Sequence, residues 1–390
     1  MLFKEEKAYL AIANDIIQNG STHKDRTGVG TRAVFGRTME FDLTDGKIPM
    51  LSTRKVPIRF LPIELVWFIS GDTNIKFLLD NNVNIWNSWV IPETAKYDND
   101  PQNFLKELEK QGVIKLDERY KDVFKELDTS LVNATVAAVT GKEVPTSRLL
   151  AGSIGDGAYG AQWRKWEDIR TIPLEDVEKF EAKGYKKLAT YNENVDGKKP
   201  IRDPETQEIT GYEDIIDVVE RAIVKKNIDQ LQAVIDQINN NENSRRIMVS
   251  AWNVGRLDQM ALPPCHTLFQ FNVRRGEDGT KYLTCNLYCR SQDFLVGTVA
   301  NIAQYAMLTH MIAQVTGCVA ERLVWFGSNV HIYDNQMELA EDHLQRLPLR
   351  NTVRVSLNKD ITSIDEFKPE DIQITGYDNF LPPIKYPVAV

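Results

Sequence analysis

Leu268-Phe269-Gln270-Phe271-Asn272-Val273 and Leu283-Thr284-Cys285-Asn286-Leu287-Tyr288 flank the turn signal Gly276-Glu277-Asp278-Gly279. Both runs alternate with the period of a strand that buries one face, so together they predict a hairpin. Phe294 to Val315 then stays apolar over a length no strand needs, yet contains Asn301, Gln304, Tyr305, His310 and Gln314. A membrane span tolerates that polar load poorly, which predicts a helix buried inside a globular core. A strand at Arg322 to Phe326, a helix at Asp334 to Leu344 and a strand at Val353 to Val355 follow. Without regular βαβ alternation, the expected class is α/β (α+β) with a mixed-sheet sandwich, not a doubly wound parallel sheet.

Upstream, Leu10, Ile12, Ala13, Ile16 and Ile17 recur at helical spacing before Gly20. Arg26 to Gly36 reads as a glycine-bearing loop running into strands. Phe60 to Ile69 is an apolar helix interrupted by Glu64, and Asn74 to Leu79 suggests a short one. Ile85, Trp86 and Trp89 form an aromatic cluster. Ile228 to Ile238 predicts another helix and Arg246 to Trp252 a strand. Two charged stretches break this pattern, Glu93 to Val144 with weak helical periodicity, and Asp176 to Lys199 with Arg202 to Glu213, similar in kind. Neither has the apolar residues for a core of its own, so both are expected to be surface insertions, at about 93–150 and 168–224, on one domain spanning 1–390.

The 390 residues carry 47 Lys+Arg against 55 Asp+Glu, a net charge of -8 that disfavours non-specific grip on nucleic acid or an anionic membrane. Cys265, Cys285, Cys289 and Cys318 lack the paired spacing of a metal knuckle, so no metal is expected and a reducing compartment fits. Charges at Lys4, Glu5, Glu6 and Lys7 stand where a signal peptide would be apolar. A cytoplasmic location is the expectation, in the host cell if the chain is phage-encoded.

Pro263-Pro264-Cys265-His266 places a thiol where a strand begins, and basic groups nearby would raise its thiolate fraction. His266 need not be one of them, because adjacent strand residues face opposite ways. Arg26, Arg245, Arg246 and Arg290 stand at the ends of apolar elements, near hydroxyl residues such as Thr27, Ser244 and Ser291. Solvated surface charge is the usual fate of an arginine, but four so placed suit a dianionic phosphate. Glu64 sits on a helix apolar on nearly every side; it is either a buried carboxylate paired with an arginine or one poised for proton transfer. Asp293, Asn301, His331 and Tyr333 follow on later elements.

In order, these stretches resemble thymidylate synthase. Asp25-Arg26-Thr27-Gly28-Val29-Gly30-Thr31 is similar to that family's phosphate loop. Glu64-Leu65-Val66-Trp67-Phe68 with Trp86 is similar to its folate-side helix, and Tyr159-Gly160-Ala161-Gln162-Trp163-Arg164 to another family stretch. Ser244 to Trp252, Ala261 to Gln270, Arg290 to Asp293, Gly297 to Tyr305, His331-Ile332-Tyr333 and Pro387 to Val390 complete a likeness that spares only the charged insertions.

The resemblance implies a homodimer through the sheet and one-carbon transfer from 5,10-methylenetetrahydrofolate to a pyrimidine deoxynucleotide. It implies Cys265 as nucleophile and a phosphate held by Arg26, Arg290 and Ser291 with Arg245 and Arg246 of the other subunit. Asn301 would read the base, while His331 and Tyr333 would bind the sugar hydroxyl. Glu64 would manage protons through water and Tyr159 would help remove the ring proton. Ile85, Trp86, Leu262, Asp293, Gly297 and Ala389 would line the folate side, with Glu64 at its border; Asp293 counts among the catalytic and dUMP-side residues as well. Neither a nucleic-acid substrate nor a membrane is implied.

The chain departs from the family at Val299-Ala300, where Pro-Phe is usual, at Cys289 for a Gln, at Arg54 for a Lys, and in the longer segment Tyr377 to Pro383. A pocket that loses an aromatic ring must be refilled by another side chain or by water. Water at the last step gives a hydroxymethyl product, as in the phage deoxyuridylate hydroxymethylases, whereas hydride gives thymidylate. Asn301 favours uracil over cytosine. The leading expectation is therefore dUMP hydroxymethylation, with thymidylate synthesis as its alternative. A nucleotide- or RNA-binding homologue without turnover is a third reading, against which the intact Cys265, Glu64 and arginine set speaks.

Overall fold

A computed structural model describes residues 3–24, 27–98, 109 and 148–388. Arg26, Ala389 and most of the first charged stretch lie outside the described residues. The chain divides into two compact units, Met1–Trp163 with Gln230–Val390, and Arg164–Asp229.

The larger unit is built on the predicted hairpin. His266–Arg275 and Lys281–Asp293 pair antiparallel, with Leu268 opposite Tyr288 and Phe271 opposite Cys285. Their alternation is the burial pattern: Leu283, Cys285, Leu287 and Cys289 are buried, while Asn286 and Tyr288 between them face outward. Val319–Tyr333 lies parallel to Lys281–Asp293, and Thr31–Asp42 antiparallel to it on the far side. Short strands Ser21–His23 and Met248–Ser250 close the two edges of this six-stranded mixed sheet. A parallel pair needs a crossover, and the helix Gly297–Val315 supplies it. It is apolar on all sides because it is buried on all sides, from Val299 to Ala313.

Phe60–Ser70 packs on that helix, apolar for the same reason, and stops at Gly71, whose left-handed φ of 69° lets its N–H reach Phe68 O at 3.1 Å. Phe3–Asn19 covers the strand Thr31–Asp42, and Met337–Leu344 follows the strand Val319–Tyr333. Among the described residues no helix is long and apolar enough to cross a membrane.

The smaller unit differs from the expectation for the second charged stretch. Trp166–Pro173, Ile209–Ile228 and Lys186–Arg202 form a three-stranded antiparallel sheet, with the 20-residue strand in the middle. Ile172, Val177, Tyr185, Ala222 and Val224 make a small cluster of their own, and the unit's bounds are wider than 168–224. The strand Lys186–Arg202 and the stretch of its partner from Ile209 to Arg221 have no buried residue, so they carry no buried-face alternation to be read.

Candidate active site

Three strand ends converge in the larger unit. Cys265 immediately precedes the strand His266–Arg275, and Arg290, Ser291 and Asp293 close the neighbouring strand. His331 and Tyr333 end the next one, with Asp293 opposite His331 and Ser291 opposite Asn329 in parallel register. The carboxyl ends of parallel strands leave a crevice beside the crossover connection, a usual place for a ligand. Gly297 and Asn301 stand in the first turns of the crossover helix, which begins shortly after Asp293. Gly30 brings the glycine loop to the same end: its carbonyl accepts from Asp334 N at 3.0 Å, and a Cβ there would strike the Asp334 carboxylate.

Backbone contacts hold Cys265 on both sides. Its N–H donates to Tyr159 Oη at 2.7 Å and its carbonyl accepts from Arg290 N at 2.8 Å. The Arg290 guanidinium donates from Nε to Pro264 O at 2.8 Å and from Nη2 to Pro263 O at 2.7 Å, and lies 5.1 Å from the Trp252 ring. A planar fork is what two adjacent carbonyls require. The rigid Pro-Pro segment that leads into Cys265 is thus held in place by the Arg290 guanidinium. Burial holds the Tyr159 phenol well above its ordinary pKa, and the Cys265 sulfur adds to the rise, so the hydroxyl stays protonated.

His266 meets two tyrosines. It is buried, stacks on Tyr159 at 4.0 Å and shares a 2.7 Å hydrogen bond with Tyr305 Oη. Burial pushes its pKa down to about 3, which leaves the ring neutral.

Among the described residues no arginine contributes to the pKa shift of Glu64. Its Oε1 accepts from Trp86 Nε1 at 2.5 Å and its Oε2 from Gln304 Nε2 at 2.6 Å. Burial raises its pKa, and the two donors oppose that rise. The carboxylate is thus held by two neutral donors, where the sequence left open an arginine partner. Asp293 is also raised, to about 6, by burial against the pull of Gln336 Nε2 at 3.2 Å.

Gln336 also donates to Pro387 O at 2.9 Å, tying the C-terminal tail to Asp293. Tyr386 Oη lies 2.9 Å from His343 Nδ1, and the Arg54 guanidinium sits 5.4 Å from the Tyr386 ring. His331 is buried with Nδ1 2.9 Å from Asn329 Oδ1, and its ring meets Tyr333 edge-on at 5.3 Å.

The structure therefore gathers Cys265, Tyr159, Arg290, Ser291, Asp293, His331 and Tyr333 at one end of the sheet, with Gly297 and Asn301 in the first turns of the crossover helix and Glu64, on the helix Phe60–Ser70, hydrogen-bonded to Trp86 from a later segment. Trp86 is buried, Leu262 half-buried and Ile85 exposed. Arg245 and Arg246 stand apart, exposed before the edge strand, and neither guanidinium has an ion-pair partner among the described residues. Sequence reasoning missed Gln304 and Gln336. Gln304 had a signal, a polar residue one turn after Asn301 in an otherwise apolar helix; Gln336 had none. No cluster of potential metal ligands exists among the described residues. The family model for thymidylate synthase matches residues 7–390.

Proposed function

The chain belongs to the thymidylate synthase family, and from that premise we propose that it transfers a one-carbon unit from 5,10-methylenetetrahydrofolate to carbon 5 of dUMP and finishes with water, releasing 5-hydroxymethyl-dUMP. The Cys265 thiolate adds to carbon 6 of the uracil, and the electron pair moves onto the ring carbonyl as an enolate. Carbon 5 then attacks the folate methylene carbon. Glu64, through water, exchanges protons with the carbonyl, and Tyr159 orients the water that takes the proton from carbon 5. Loss of tetrahydrofolate leaves an exocyclic methylene. Water adds its oxygen there, its proton leaves to solvent, and the carbon–sulfur bond breaks to return the thiolate.

The phosphate is assigned to Arg26, Arg290 through its Nη1, and Ser291, with Arg245 and Arg246 of a second subunit. Asn301 is assigned to the base edge, His331 and Tyr333 to the sugar, and Ile85, Trp86, Leu262, Asp293, Gly297 and Ala389 to the folate. The surface that supports a second subunit is the outward face of the six-stranded sheet. There Phe326 (38% exposed) pairs with Tyr288 (40%), with Met248 (41%) on the edge strand beyond. An apolar row on an uncovered sheet face calls for a partner.

One observation favours water at the final step. Ala300 and Gln304 are one turn apart and share a face of the helix Gly297–Val315. A methyl group stands where relatives carry an aromatic ring, above an amide that is bonded to Glu64. A ring lost at this position is replaced by another side chain or by water, and we propose water.

Incubation of the enzyme with dUMP and methylenetetrahydrofolate, followed by mass analysis of both products, decides the matter. The expected pair is 5-hydroxymethyl-dUMP and tetrahydrofolate. Thymidylate with dihydrofolate would overturn the final step and leave the rest standing. Cys265→Ser should still bind dUMP and turn over nothing; turnover by that variant would remove the covalent mechanism.

A further inference from the structure

We infer that Gln304 is a positioning residue for Glu64, whose amide occupies one oxygen of the carboxylate and directs its proton toward the remaining lone pairs. The inference rests on the reading of Glu64 as the group that exchanges protons with the uracil carbonyl.

Gln304 is buried in the helix Gly297–Val315, and its Nε2 reaches two acceptors on the helix Phe60–Ser70, Glu64 Oε2 at 2.6 Å and Leu61 O at 3.2 Å. Those are the two hydrogens an amide nitrogen has to give. Flipping the amide would turn its oxygen toward a carboxylate and a carbonyl, both acceptors, so the orientation is fixed by its surroundings. On the other oxygen, the Trp86 indole is a donor only. Each oxygen of Glu64 thus faces an N–H, and a carboxyl proton placed on either of those lone pairs would collide with it. A proton can enter or leave Glu64 only on the lone pairs turned away from Gln304 and Trp86.

Among the described residues, no charge contributes to this carboxylate's shift, which comes from burial opposed by these two donors. The titratable groups on the neighbouring elements are engaged elsewhere or exposed. On the Gln304 helix, Tyr305 meets His266 and His310 meets Lys47 O. Lys76 pairs with Asp80 on the short helix, and Tyr159 accepts from Cys265 N. Glu366 and Asp371 accept from the backbone of their own turns, and Asp365 and Glu370 are exposed. Among the described residues, Gln304 and Trp86 are therefore the two side chains that tune Glu64 directly.

The test is the pH profile of kcat in the wild type, Glu64→Gln, Gln304→Met and Gln304→Glu. Glu64→Gln should abolish one limb. Gln304→Met keeps the length of the side chain and removes the donor, so that limb should move to higher pH. Its kcat should fall about tenfold while KM for dUMP stays within about twofold. Gln304→Glu sets two carboxyl groups against each other; they share one proton, and the rate should be lost as pH rises through that titration. Profiles of both Gln304 variants that superimpose on the wild type would overturn the inference while Glu64 kept its role. A limb that survives Glu64→Gln would overturn the reading of Glu64 and the inference with it. Failure of both Gln304 variants to fold would assign the residue to the core and overturn the inference likewise.

Discussion

Asp293 accepts from Gln336 while that same amide nitrogen donates to the tail carbonyl of Pro387, so one carboxylate faces both the pocket and the chain terminus. Its pKa rises from 3.8 to about 6 because burial disfavours the charge more than its donors favour it. The folded chain then holds a proton between those values that the unfolded chain has released. Asp293 therefore contributes stability fully below 3.8 and loses that contribution as pH rises toward about 6. Urea titrations across that window should show the stability of Asp293→Asn relative to the wild type improving as pH rises, because the variant lacks that part of the slope. An equal slope in both would mean the carboxyl titrates normally. Residue chemistry of this kind was partly legible beforehand. Cys265 after two prolines announced a positioned thiol, but that Arg290 spends two of its donors on Pro263 and Pro264 depends on a strand pairing no local pattern encodes.

The crossover helix Gly297–Val315 carries the core at the scale of elements. Leu308 is fully buried within it, and truncating a buried Leu removes both transfer energy and packing contacts. Leu308→Ala should lower unfolding free energy by about 2–5 kcal/mol in denaturant titration. A loss under about 1 kcal/mol would mean that the helix is less enclosed than its packing implies. This helix was readable from composition, since only a buried one can be apolar on every side. The ribbon of Lys186–Arg202 and Ile209–Ile228 was not: with solvent on both faces, burial selects neither face, and Lys, Glu and Asp alternate with Ile and Val without a period.

For the whole molecule, the outward sheet face and the two exposed arginines, Arg245 and Arg246, make a joint prediction. If Arg245 and Arg246 serve a partner's pocket, neither Cys265→Ser nor an Arg245→Ala/Arg246→Ala double variant works alone. Mixed and reassociated, their heterodimers hold one site with an intact thiol and intact arginines, so about a quarter of wild-type turnover should return. No recovery in a mixture shown to contain heterodimers would place those arginines in their own subunit's chemistry or in none. Tyr288→Asp, which puts a charge in the middle of the apolar row, should yield monomers by sedimentation.

Periodicity and local composition determined the strands of the hairpin, the buried helix and the mixed character of the sheet, because burial imposes its period on each element separately. They also exposed the thiol, the carboxylate and the arginines as residues out of place in their surroundings. Tertiary structure alone decided the partners. Gln304 meets Glu64 from 240 residues away and Tyr159 meets Cys265 from 106. Such contacts depend on how finished elements pack, and hydrogen-bond direction is set where two surfaces meet.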